Sequence, residues 1–188
     1  MEKRKKSKKK ETGIKSKKLQ FRREFAAGGI VFKKLKVKNE KLIILWLITR
    51  SSPSKQFPGV FWRLPKGWLD DSSGGKSLGP KSTGEIKVEE GDLIDAAKRE
   101  VAEEGGIDAE IVRKIGTEKY FLRHGGKNIL KFVTFYLMEW VRDLEEGFGF
   151  ETTEVGWFSY IQARKTLSNT YEKKVLDKAK HILDLELK

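Results

Sequence analysis

Residues Arg99–Ile107 read REVAEEGGI and set Glu100, Glu103 and Glu104 close together. On a helix, positions three and four apart share a face. Three carboxylates on one face repel unless a lysine, solvent or a divalent metal sits among them. Taken alone, the segment is an ordinary solvated face, with Lys98 beside it and Arg99 four residues before Glu103. Its surroundings say more. Leu64-Pro65-Lys66-Gly67 makes a turn upstream, after an aromatic-apolar stretch, and Gly105-Gly106 stops the helix before another strand. A rigid loop–helix–loop holding three carboxylates is what an oxygen-ligand cage for a hard cation needs.

The elements that must position this cluster follow from apolar spacing. Glu24–Phe32 and Lys41–Thr49 read as strands joined by the polar turn LKVKNEK. Residues 51–68 are punctuated by Pro53, Pro58, Pro65 and glycines and read as loop. Residues 70–90 are rich in Ser, Gly and Lys, lack apolar periodicity, and are expected to be a flexible insertion. The helix runs over Leu93–Glu104, with Leu93, Ala96, Ala97 and Val101 on its apolar face and Asp92 as its N-cap. Ile111–Leu122 and Ile129–Val141 are strands joined by the turn RHGGK. A short strand at Val155–Phe158 precedes a last helix from Ile161 to Leu185. The order predicts a mixed sheet packed between helices, in the α/β (α+β) class.

Composition bounds the setting. The chain has 188 residues, 38% of them hydrophobic, which suits one domain with a core. It has no cysteine and no apolar run of the roughly 20 residues that span a bilayer, and its charged N-terminal stretch is not expected to be a secretory signal. A cytoplasmic location without membrane contact is expected. The net charge of +13 is concentrated in residues 1–23, which hold twelve Lys/Arg against Glu2 and Glu11. This block is expected to be a disordered basic tail, with the folded domain over residues 24–188. Such a tail is either a solubilising segment or a handle for nonspecific nucleic-acid contact. Gly74–Ser77 reads GGKS, but Asp70 stands where a phosphate-binding loop needs its first glycine.

Arg99-Glu100-Val101-Ala102-Glu103-Glu104-Gly105-Gly106-Ile107 resembles the second half of the Nudix box, G-x5-E-x7-R-E-U-x-E-E-x-G-U, at every specified position. Gly67 in LPKG is similar to its opening glycine. Gly67 and Arg99 have 31 residues between them against 13 in the box, an insertion of 18, and Gly91 stands where the box places its first glutamate. Glu89, Glu90 or Asp92 could take that place and pair with Arg99. The resemblance implies an α/β/α sandwich with a central mixed sheet, and hydrolysis of a nucleoside diphosphate linked to another group. It implies Mg²⁺ or Mn²⁺ held by Glu100, Glu103, Glu104 and the Gly67 carbonyl, with Arg99 orienting the box loops. The general base stays open between Glu104 and the two acids of FETTEVGWF, Glu151 and Glu154.

Within the superfamily, LPKG, Tyr120-Phe121 before the strand LKFVTFYLMEW, and the closing VGWFSYIQARKTLSNTYEKKVLDKA look like the diadenosine polyphosphate hydrolase branch. That likeness covers residues 24–183. It implies a nucleoside polyphosphate substrate, asymmetric cleavage of diadenosine tetraphosphate to ATP and AMP, Lys66 and Lys131 on the polyphosphate, and Tyr120 or Tyr136 on an adenine. Core packing is the ordinary fate of such tyrosines, and an exposed turn that of His124. The alternatives are an RNA 5′-end pyrophosphohydrolase and a noncatalytic nucleotide- or RNA-binding module of the same fold.

Overall fold

The computed structural model describes residues 21–37, 42–54, 58–72, 77–124 and 126–187. The centre of the molecule is a pair of parallel strands that the sequence marks by apolar side chains on both faces. Strand β1 (Phe21–Lys36) runs alongside β8 (Lys127–Asp143), in register from Phe21 opposite Asn128 to Phe32 opposite Glu139. Alternate residues of a strand face opposite sides, and both sides are filled here. Ala26, Ile30 and Phe32 point to one core with Val133, Phe135 and Leu137; Ala27 and Val31 point to the other with Tyr136 and Met138. Near-continuous apolar runs are the mark of strands buried on both faces.

The rest of the sheet is laid outward from this pair. β2 (Leu42–Ser51) pairs antiparallel with the second half of β1, and β7 (Ile107–His124) pairs antiparallel with β8 as the sheet's edge. The spatial order is β3-β2-β1-β8-β7, where β3 is Trp62–Arg63. β4 (Lys66–Trp68) adds to the first half of β1, and β9 (Thr152–Phe158) adds to β2. Helix α2 (Glu90–Gly105) covers one face, and α3 (Tyr160–Thr166) with α4 (Thr170–Glu186) covers the other. The expected mixed sheet between helices is therefore the observed architecture, an α/β/α sandwich. No helix of the described residues is long and apolar enough to cross a membrane.

Several boundaries differ from the sequence reading. Phe21, Arg22 and Arg23 belong to β1 rather than to the tail, because a parallel partner extends the strand; residues 1–20 lie outside the described part. Two short strands, β3 and β4, form inside the segment read as loop, since β2 and β1 offer free edges there. Helix α2 starts at Glu90, not Leu93. Its N-cap is Glu89, and Asp92 at the third helical position closes a reciprocal capping box. It ends at Gly106, whose φ of 65° is the left-handed conformation a glycine adopts without strain. The last helix is two helices, broken at Leu167-Ser168-Asn169 where the Ser168 N–H and hydroxyl turn to bond the backbone of Trp62.

The 70–90 segment departs most from its expectation, leaving aside residues 73–76, which are not described. Strands β5 (Asp71–Ser72) and β6 (Ser77–Leu78) pair, and a short helix α1 (Pro80–Thr83) follows. Asp70 organises them. Its carboxylate accepts the N–H groups of Lys81 at 3.0 Å and Ser82 at 2.7 Å, supplying the cap that Gly79 has no side chain to give. Lys81 then reaches Asp92 and ties α1 to the start of α2. A single acid with the right neighbours builds what periodicity cannot show.

Candidate active site

The site forms where the first half of β1 meets β4 and the last turns of α2. Ala27 of β1 lies opposite Gly67 of β4, and Glu100 stands directly over that glycine. A Cβ at residue 67 would lie 2.2 Å from the Glu100 carboxylate, so only glycine permits the approach. Glu100 is 6% exposed. Burial pushes its carboxyl up to about 8, the Glu104 charge adds to the rise, and Arg99 opposes it. Glu104 accepts the Lys66 N–H at 2.9 Å; burial pushes its carboxyl up to about 7 against the pull of Lys66.

Arg99 knits the box together. One guanidinium nitrogen lies 2.9 Å from Glu100 and 3.0 Å from Glu103, and the other donates to the Trp68 carbonyl at 2.6 Å. Its described partners do not include Glu89, Glu90 or Asp92, the acids expected to replace the missing box glutamate. Those are engaged by Lys87, by Lys114 and the Tyr136 hydroxyl, and by Lys81, respectively. Arg99 instead takes carboxylates from its own helix.

The loop after β8 brings in a further acid. The Leu144 N–H donates to the Gly106 carbonyl and the Gly149 N–H to the Glu103 carbonyl, which fastens residues 144–149 to the end of α2. Glu151 follows, its carbonyl accepting from the Ser52 N–H, and its charge raises the carboxyls of both Glu100 and Glu104. Glu154 is placed differently. It pairs with Arg50 on the neighbouring strand and is half exposed, and it does not figure among the main charges acting on Glu100 or Glu104.

Beside the carboxylates, on the α4 face, lies a cluster of largely buried polar side chains. Glu24, Lys131 and Tyr120 are cross-strand neighbours on β1, β8 and β7. Tyr120 stacks on Tyr171 of α4 with centroids 4.5 Å apart and planes at 23°. The Lys66 amine pairs with the buried Glu172 of α4 at 2.7 Å, and Glu172 also accepts the Leu64 N–H and the Tyr171 hydroxyl. Lys131 is partly buried. Desolvation lowers its pKa, with the Lys66 and Arg63 charges adding and Glu24 opposing. Arg63, Glu24, Tyr171 and Glu172 escaped the sequence reading. The last two sit in a helix whose charged residues look like any solvated face, and only the fold turns them inward.

Tyr136 goes elsewhere. It is 1% exposed in the core under α2 and spends its hydroxyl on Glu90 at 2.7 Å, so it offers no face to a base. Strand parity explains the split: Tyr120 and Lys131 share the α4 face, while Tyr136 lies on the other. The backbone at His124 ends β7 at the tip of the hairpin.

The description "NUDIX domain" names the family whose model matches residues 22–179. The chain belongs to the NUDIX family. It is accordingly a Nudix pyrophosphohydrolase, acting on a pyrophosphate bond. Solved structures agree on the fold. The MutT protein from Methanosarcina mazei Go1 superposes with a TM-score of 0.55 at 18% identity, over 87% of this chain and 96% of that one. A NUDIX hydrolase from Nitrosomonas europaea gives 0.54 at 16% identity, over 82% and 86%. A C. elegans Ap4A hydrolase binary complex gives 0.52 at 19% identity, over 86% and 98%. A search of curated proteins finds no match.

Nudix enzymes work with divalent metal ions, and the donor set here suits one. Glu100 and Glu104 are hard oxygen donors, held close enough to a glycine loop and to each other that ionising both is costly without a cation. Among the described residues no three His, Asp or Glu side chains converge at ligand spacing, Arg99 having drawn Glu100 and Glu103 to itself.

Proposed function

We propose that this Nudix enzyme hydrolyses dinucleoside tetraphosphates asymmetrically, releasing ATP and AMP from diadenosine tetraphosphate. The observation that carries the reading is the side-chain cluster beside the box: two tyrosines stacked face to face and three cations, Lys66, Lys131 and Arg63, whose charges act on one another and on Glu104 or Glu100. A purine needs a flat aromatic partner; Tyr120 and Tyr171 face each other and pack against the core, so a purine would take the place of one ring on the other. A polyphosphate needs cations in a partly desolvated place, where each contact is stronger than in water. The C. elegans neighbour is described as an Ap4A hydrolase.

In this reading Glu100, Glu103, Glu104 and the Gly67 carbonyl hold Mg²⁺ or Mn²⁺, which when bound neutralises phosphate charge and acidifies a water. The chain's own residues do the rest. Arg99 fixes the box against Trp68; Lys131 meets the polyphosphate; Lys66 does so by exchanging Glu172 for phosphate. Glu104 and Glu151 are this reading's two candidates for taking a proton from the attacking water, since the Glu151 charge acts on Glu100 and Glu104.

The test is product analysis after incubation with diadenosine tetraphosphate and Mg²⁺. ATP with AMP from the native chain, and a loss of about a hundredfold or more in Glu103→Gln, supports the assignment. Two ADP as products, or an unchanged rate in Glu103→Gln, would refute the cleavage pattern or the metal site, respectively.

A further inference from the structure

The opposite face of the same strands carries a second cluster that hydrolysis does not use. Around the β7–β8 turn, strand alternation places three rows of three side chains side by side. They are Phe25, Phe132 and Lys119; then Arg23, Leu130 and Phe121; then Phe21, Asn128 and Arg123. The contacts agree with that lattice. Phe25 and Phe132 stack at 5.0 Å with planes at 14°, Phe21 meets Phe121 edge-on at 5.4 Å, and Lys119 lies 5.5 Å over Phe132. Phe121 is 70% exposed and Phe21 48%. Among the described residues, Arg23, Lys119 and Arg123 carry no carboxylate partner. The inner row opens into a groove of about 210 Å³ between the hairpin and the start of α2, lined by Val88, Leu93 and Thr117.

We propose that this sheet face binds single-stranded RNA, bases stacking on Phe21 and Phe121 and phosphates meeting Arg23, Lys119 and Arg123. Aromatic side chains on adjacent strands of an open sheet are a stacking platform for unpaired bases, and interleaved cations track the backbone. Charge selects the occupant. A second copy docking through this face would set three cations against their own images. The chain entering Phe21 adds ten Lys/Arg against Glu2 and Glu11 over residues 1–20, so a polyanion gains from both. RNA is the ordinary source of unpaired bases, and rings paired within the pleat suit bases better than insertion between lipids. The proposal is independent of which nucleotide the pocket hydrolyses.

Fluorescence anisotropy of the full chain with a labelled, unstructured 20-nucleotide RNA tests it. Phe121→Ala, at an exposed position and with its melting temperature checked beside the native chain, should weaken binding about tenfold. Arg123→Ala should lower the salt dependence of log K by about 0.7. The proposal is overturned if Phe121→Ala binds as tightly as the native chain, for the contact would then be electrostatic alone. It is equally overturned if duplex RNA binds as well as the single strand, if single-stranded DNA of the same sequence binds more tightly, or if the chain forms a dimer that Phe121→Ala dissolves.

Discussion

At Gly67 one missing methyl decides whether the box can close. An alanine there would place its Cβ within 2.2 Å of the Glu100 carboxylate and force the loop or the helix to shift. Displacement by about an ångström at a reacting centre costs roughly a hundredfold in rate. Gly67→Ala should therefore lose about two orders of magnitude in kcat while the fold persists, checked by steady-state kinetics beside a thermal melt. Glu172 teaches the reverse, a structural residue next to the chemistry. Replacing it by alanine leaves the Lys66 amine buried without its partner and two further donors without an acceptor. The expected loss is about 3–5 kcal/mol of stability, read by urea denaturation. The two tyrosines can be told apart by kinetics. Tyr120→Ala should raise KM for diadenosine tetraphosphate about tenfold, whereas Tyr136→Phe should leave KM unchanged, its hydroxyl being committed to Glu90. The box glutamates were legible because REVAEEGGI, with LPKG upstream, resembles the Nudix box; taken alone, their helix face looks like any solvated one. Tyr171 and Glu172 were not, since nothing local distinguishes a helix face turned toward a pocket from one turned to water.

Among the elements, the insertion between β4 and α2 shows how a polar sequence gains form. Its strand pair and short helix are held together by the Asp70 carboxylate, so they should respond to acid. Burial works against the Asp70 carboxylate, yet the Lys81 and Ser82 donors outweigh it and hold the carboxyl below its ordinary 3.8. The stabilisation is thus whole above that value and disappears as pH falls through the lower, folded one. Hydrogen exchange at Lys81 and Ser82 should quicken as pH falls through that window once the intrinsic pH dependence is removed. Asp70→Asn, which keeps one acceptor of two, should cost about 1 kcal/mol locally. The strands were easier to read. ILKFVTFYLMEWV has no polar alternation, so burial on both faces and a central position followed directly. Helix starts were harder. The reciprocal bonds of Glu89 and Asp92 shifted the start of α2 by a turn, and such bonds depend on backbone geometry that composition does not encode.

For the whole molecule, the sandwich places both cores against one strand pair, so damage there is not local. Phe135 on β8 is fully buried beneath α3 and α4. Phe135→Ala should cost about 3–5 kcal/mol, measured by denaturant unfolding, with no step confined to one face. The same strand pair has a consequence for how the protein is made. β1 leaves the ribosome early, while its parallel partner β8 is about a hundred residues behind it. At about 5–20 residues per second, Ile30, Val31 and Phe32 wait on the order of 5–20 s before the partner that buries them has been synthesised. During that interval β1 keeps the edge meant for β8 open, while β2 and β4 can already pair with its other edge, and an open apolar edge is what nascent chains aggregate through. Translation speed between β2 and β8, and not only the finished contacts, therefore sets the yield of folded enzyme.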